Sequence, residues 1–139
     1  MSHNQAMELS KHRLERANKT YAEAYENLEN TRYLVANNRA YYAIFYAMRA
    51  ILALDGVDYK KHSGVIAHFR ENYIKTKHLD KKLSDIVRNA SIIRNKSDYE
   101  DFYTASKEEA AAQVDDANMF IAAVEEYLQN RWRAAGAEG

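Results

Sequence analysis

Apolar residues recur along this chain every three or four positions and almost nowhere in strict alternation, so the pattern predicts helices rather than strands. A first helix is expected from about Met7 to Glu29, with Leu14, Ala17, Tyr21, Ala24, Tyr25 and Leu28 on one face. A second runs from about Thr31 to Leu54 and stops at Gly56, a residue suited to the left-handed conformation that closes helices. A short third helix spans about His62 to Lys75 around Val65, Ile66, Phe69 and Tyr73. A fourth begins near Asp80, whose side chain can accept from free backbone N–H groups, and carries Leu83, Ile86, Val87, Ala90 and Ile93. In the last helix "SKEE" places Ser106 and Glu109 as a capping box, and Ala110, Val114, Ala117, Ile121, Val124 and Leu128 form the seam that follows. Four long helices plus one short one, each with an apolar stripe, predict an all-α, up-and-down bundle. Its ordered core is expected within about residues 7–130, with 134–139 a frayed tail.

At 139 residues the chain fits a single domain able to bury a core without metals or disulfides. It has no cysteine, which removes disulfide scaffolds, structural zinc sites and thiol nucleophiles together. The N-terminal stretch lacks the apolar run of a secretory signal, and residues 40–54 are too short for a membrane span and interrupted by Arg49, so a soluble cytoplasmic protein is expected. Twenty basic and twenty acidic residues cancel, which argues against a nucleic-acid coat that binds through net charge alone. The distribution is uneven: the segment from Asp58 to Lys82 is basic and that from Asp98 to Glu126 acidic, an asymmetry able to orient an anionic ligand or a partner.

The stretch "NNRAYYAIFYAMRAILAL" is almost wholly apolar yet holds Arg39 and Arg49. At about 100° per residue, Arg39, Tyr42, Tyr46 and Arg49 fall within an arc of about 80°, so the polar groups form one stripe. Ala40, Ala43, Ala47 and Ala50 let a neighbouring helix approach closely, while Ile44, Met48 and Ile51 make the core face. Arginine and tyrosine tolerate partial burial when their tips find partners, and they suit anion contacts or an interface. On the fourth helix Arg94 falls inside the arc of the apolar stripe, where a guanidinium needs a counter-ion. Asp98, one turn on, can supply it. A phosphate-bearing ligand matches the same fork of donors.

These segments, "NNRAYYAIFYAMRAILALDG", then "YKKHSGVIAHF", then "IIRNKSDYED", then an alanine-rich last helix, together resemble the small stand-alone HEPN-domain proteins of bacteria and archaea, over about Leu9 to Leu128. The resemblance implies a helical bundle that forms a homodimer and works in a toxin–antitoxin system beside a minimal nucleotidyltransferase. Catalytic members of that family are metal-independent ribonucleases marked by an arginine, a following polar residue and a histidine a few residues on. Arg94 and Asn95 match the first half, but Tyr99, Glu100 and Asp101 stand where the histidine would. The departure matters because cleavage through a ribose hydroxyl needs a group that exchanges protons near neutral pH, as histidine does and an ordinary tyrosine does not. His62, at the start of the third helix, is the candidate replacement; His68 and His78 read as surface residues.

Two functions remain open on the sequence. One is a nucleotide- or RNA-binding module using Arg39, Tyr42, Tyr46, Arg49, Asp98 and Tyr99 around Arg94. The other is a ribonuclease toxin with an atypical site built from Arg94, Asn95 and His62. Neither implies a cofactor or a metal, and the paired Glu-x-x-His elements of di-iron bundles do not occur.

Overall fold

The computed structural model describes residues 2–138. Its helices are α1 (His3–Glu29), α2 (Tyr33–Asp55), α3 (His62–Phe69), α4 (Lys82–Tyr99) and α5 (Lys107–Glu138), with a π-helical turn, Arg70–Ile74, continuing α3. The architecture is the expected all-helical bundle.

Helix α1 starts four residues earlier than the apolar pattern suggests because Ser2 and Gln5 form a reciprocal cap. A turn at Thr31, the left-handed hinge at φ 62°, sends α2 back along α1, and the two pack along their length. Helix α2 is the hub, touching α1, α3, α4 and α5. Ala40, Ala43, Ala47 and Ala50 are all fully buried, as close helix approach requires, and Ile44, Met48 and Ile51 fill the core between them. Ser10 shows how a polar group is tolerated there: its hydroxyl donates to the Ala50 carbonyl at 2.7 Å and accepts from the Trp132 indole at 3.1 Å.

Gly56, at φ 69°, ends α2 as predicted. The Asp80 carboxylate accepts from the Lys82 amide ahead of α4, and the Ser106 hydroxyl from the Glu109 amide ahead of α5. Glu109 does not complete the capping box; its carboxylate takes the Tyr103 hydroxyl instead. Residues 134–138, expected as a frayed tail, continue α5 as helix. Phe69 and Phe120, both fully buried with ring centroids 5.5 Å apart, join the third helix to the last. Among the described residues no helix is long and apolar enough to cross a membrane.

Candidate functional site

Arg94 reaches back from α4 onto α2. Its guanidinium carbon lies 4.9 Å from the centre of the Tyr41 ring and 5.9 Å from that of Tyr42, so the charge sits against two aromatic rings. The side chain is 31% exposed, and Asp98 stands 3.6 Å away, past ordinary hydrogen-bond reach. Arg94 thus makes a loose pair with Asp98 while its guanidinium is held against the tyrosines of α2.

Tyr41, only 3% exposed, links this arginine to α3. Its hydroxyl is 2.9 Å from His62 Nδ1, and the His62 ring rests 4.1 Å from that of Phe45. Burial lowers the His62 pKa, and the charges of Arg94 and Arg49 lower it further. Burial likewise raises the Tyr41 pKa despite the opposing charge of Arg94. Both groups are thus neutral at neutral pH. With the phenol donating to Nδ1, the imidazole proton sits on Nε2; in the other tautomer Nδ1–H donates to the phenol oxygen and Nε2 is free to take a proton.

Beside Arg94 is a cavity of about 270 Å³ lined by Leu34, Val35, Asn37, Asn38, Arg94, Ser97 and Asp98. Asn37 is 4% exposed, and its amide nitrogen donates weakly to the Tyr103 hydroxyl at 3.4 Å. Its carbonyl oxygen is buried with no partner. Tyr103 is committed elsewhere: its hydroxyl donates to Glu109, and burial together with that bond pushes its pKa up to about 12.

The predicted stripe on α2 is divided. Arg39 lies over Tyr42 at 5.4 Å while donating twice to the Asn38 side chain, and so stays near Arg94. Tyr46 is covered by Arg16 at 4.2 Å, and Arg49 pairs with Asp58 at 3.0 Å, a carboxylate shared with Arg13. Asn95 is exposed on another face of α4, in a cleft with Ser63, Ile66, Arg70 and Arg88, rather than beside its neighbour Arg94. Tyr99 is 82% exposed. Tyr41 and Asn37 were not singled out in the sequence, although Asn37, Tyr41, Ile44 and Met48 share one helical face; an asparagine there was the legible signal.

A second polar cluster closes the other end of α2. The Asp55 carboxylate accepts from the Tyr73 hydroxyl at 2.5 Å, His68 Nε2 at 2.9 Å and the Arg131 guanidinium at 2.9 Å, while Arg131 also donates to Tyr73 at 2.7 Å. Burial pushes the Asp55 pKa up, but the bonds from Tyr73, His68 and Arg131 outweigh it and hold the carboxylate below its usual range. His68, read from sequence as a surface residue, is instead half-buried between Asp55 and the Tyr59 hydroxyl, because the helix–loop–helix path folds both onto it. His78 is exposed. Among the described residues no group of histidine and carboxylate side chains is disposed to hold a metal.

The HEPN domain family matches residues 10–127. The chain belongs to that family. A protein of Methanocaldococcus jannaschii named "Putative toxin MJ0142" is 36% identical over 116 residues, covering 83% of this chain and 78% of that protein. The "UPF0332 protein" of Thermotoga maritima is 33% identical over 107 residues, covering 77% and 81% respectively. A second Methanocaldococcus jannaschii protein, "Putative toxin MJ0605", is 33% identical over 104 residues, 73% of this chain and 75% of that one. The match identifies this HEPN domain as one of the small members whose relatives carry toxin names, and its span includes Arg94, Tyr41, His62 and Asn37.

Proposed function

We propose that this HEPN protein is a nucleotide- or RNA-binding module of a toxin–antitoxin-type pair, acting in the cytoplasm with a nucleotidyltransferase-class partner. The observation that carries the reading is Arg94: a half-buried guanidinium, backed by Tyr41 and Tyr42, whose nearby carboxylate is too far to saturate it. A phosphate oxygen is the ligand that such a fork of donors takes best. Arg39 adds a second positive charge through its position over Tyr42.

The surface around the cavity suits a protein partner as well. Tyr99 and Phe102, at and just beyond the end of α4, are 82% and 98% exposed. Large apolar groups left in water mark an interface, which here is assigned to a second copy in a homodimer. The test is a thermal melt of the wild type and Arg94→Ala with nucleotides and short RNAs. The expected result is a rise in Tm for the wild type alone. No rise with any of them would reduce Arg94 to a partner of Asp98. Co-purification of a nucleotidyltransferase from the native host checks the partner.

A second reading has its own support. The link from Arg94 through Tyr41 to a neutral His62 puts a proton acceptor and an anion holder in one cluster, which is what a metal-independent ribonuclease needs. Under this reading, induced expression arrests bacterial growth, and either Arg94→Ala or His62→Ala relieves the arrest. Normal growth at high soluble expression would rule it out.

A further inference from the structure

Asn37 poses a separate problem. A buried carbonyl oxygen without a donor is costly to fold around, because it has given up water for nothing. Turning the amide over does not help. The Tyr103 hydroxyl already donates to Glu109, so whichever amide atom faces Tyr103, the other remains unpaired. The residue also lines the same cavity as Arg94, and that cavity has Leu34 and Val35 as apolar walls.

We propose that this cavity is a base-reading subsite: the Asn37 carbonyl accepts from the exocyclic amine of an adenine, cytosine or guanine whose phosphate is held by Arg94. The inference rests on the nucleotide-binding reading above and names the chemistry that the site selects. A flat ring can lie against Leu34 and Val35 in a space of about 270 Å³. Its polar edge then meets the Asn37 carbonyl, the one buried side-chain acceptor without a partner among the described residues, once that side chain turns toward the cavity. An exocyclic amine projects from the ring and is the part of its edge that reaches furthest. The ring N–H of uracil sits between two carbonyl oxygens, which would press against the same acceptor. Reading an unstacked base along its hydrogen-bonding edge is the usual way single strands are told apart.

The test deletes the amine from the ligand, so the protein stays intact. Binding of AMP is compared with that of purine riboside monophosphate, and binding of an RNA hexamer carrying one adenine in a uracil background with the same hexamer carrying purine riboside there. The expected result is a loss of at least about tenfold in affinity when the amine is missing, in one pair or both. Discrimination in the mononucleotide pair assigns a free nucleotide; discrimination in the hexamer pair alone assigns RNA. Equal binding within both pairs would overturn the subsite, leave Asn37 facing no more than a water, and leave the phosphate reading standing. If no probe binds at all, the phosphate reading falls and the subsite with it.

A variant gives a second readout. Asn37→Leu keeps the branching of the side chain but replaces the amide with two methyl groups, so it removes the acceptor and is expected to abolish preference for the amine while phosphate binding at Arg94 persists. Retained preference in Asn37→Leu would also overturn the assignment.

Discussion

Helix α2 carries a polar cluster toward each end, built from the same residue types and finished differently. At its C-terminal end Arg131, Tyr73 and His68 converge on Asp55, and each of these hydrogen bonds is 2.9 Å or shorter. About 21 Å along the helix, Arg94, Tyr41 and His62 come together around no carboxylate at hydrogen-bond distance, and Asn37 nearby has a bare oxygen. An arginine that has its counter-ion inside the chain contributes to stability. One whose carboxylate stands off, as Asp98 does from Arg94 at 3.6 Å, has capacity left for a ligand. Arginine and tyrosine content alone cannot separate the two; the position of a single aspartate does.

The largest expected effect breaks the first cluster. Asp55→Ala leaves Arg131 and the Tyr73 hydroxyl without their acceptor. Removing one partner of a buried pair costs about 3–5 kcal/mol, reduced here to about 2–3 kcal/mol because both side chains are partly in water. In a domain of this size that is a fall in Tm of about 10 °C. Arg94→Ala gives up a loose, partly exposed pair and is expected to cost about 1 kcal/mol or less. Paired urea melts measure both. Equal losses would make the two clusters alike and remove the contrast.

Ligand reverses the order. At ten times its Kd a nucleotide that binds only the folded state adds about 1.4 kcal/mol. The wild type and Asp55→Ala are each expected to show that increment, the second from a lower baseline, whereas Arg94→Ala shows none. Absence of the increment in Asp55→Ala as well would mean that the clusters communicate along α2.

What could be foreseen follows the same division between local and distant causes. Gly56, Asp80 and Ser106 act on the next few residues: Gly56 and Ser106 end and begin helices where the sequence places them, and Asp80, expected as the N-cap of α4, stands one residue ahead of the cap at Lys81. The small face of α2 was legible for the same reason: a helical period needs no knowledge of the neighbour. The stripe of Arg39, Tyr42, Tyr46 and Arg49 was real as a stripe, yet its members were allotted to different partners by the path of the chain after Gly56, which brings Asp58 under Arg49. Nothing within α2 encodes that path. Tyr41, one position off the stripe, became the neighbour of Arg94 because of how α4 is rotated against α2, and a rotation between helices is a property of packing.

Acid separates the clusters by a smaller margin. The folded-state pKa of His62 is lowered, so the unfolded chain binds its proton more readily. Stability is therefore fully present above the ordinary value of 6.5 and is lost as pH falls from there to the folded pKa. Asp55 is also lowered, and its contribution is present above its ordinary 3.8 and lost as pH falls through the folded value. As pH falls below about 6.5 the wild type should thus lose stability that His62→Gln retains, while the further loss below about pH 4 is missing from Asp55→Asn. Thermal melts across pH read both windows. A His62→Gln profile that parallels the wild type through pH 6 would place the imidazole outside the Arg94 cluster.

The smallest effect concerns RNA alone. The basic segment foreseen in the sequence folds into a shallow groove between the π-helical turn and α4, lined by Lys75, Lys77, His78, Lys81 and Arg88, with Asp80 and Asp85 offsetting part of the charge. These lysines are exposed, and the attraction of such groups for phosphates is screened and independent of sequence. If a strand extends from the Arg94 cavity into this groove, Lys77→Glu with Lys81→Glu weakens a hexamer several-fold at physiological salt and flattens the dependence of log Kd on log salt by about one unit for each phosphate no longer neutralised. AMP, too short to reach the groove, keeps its affinity. An equal loss for AMP and hexamer would place the effect in the general field of the protein, whereas no loss for either would confine recognition to the cavity where Arg94 and Asn37 meet.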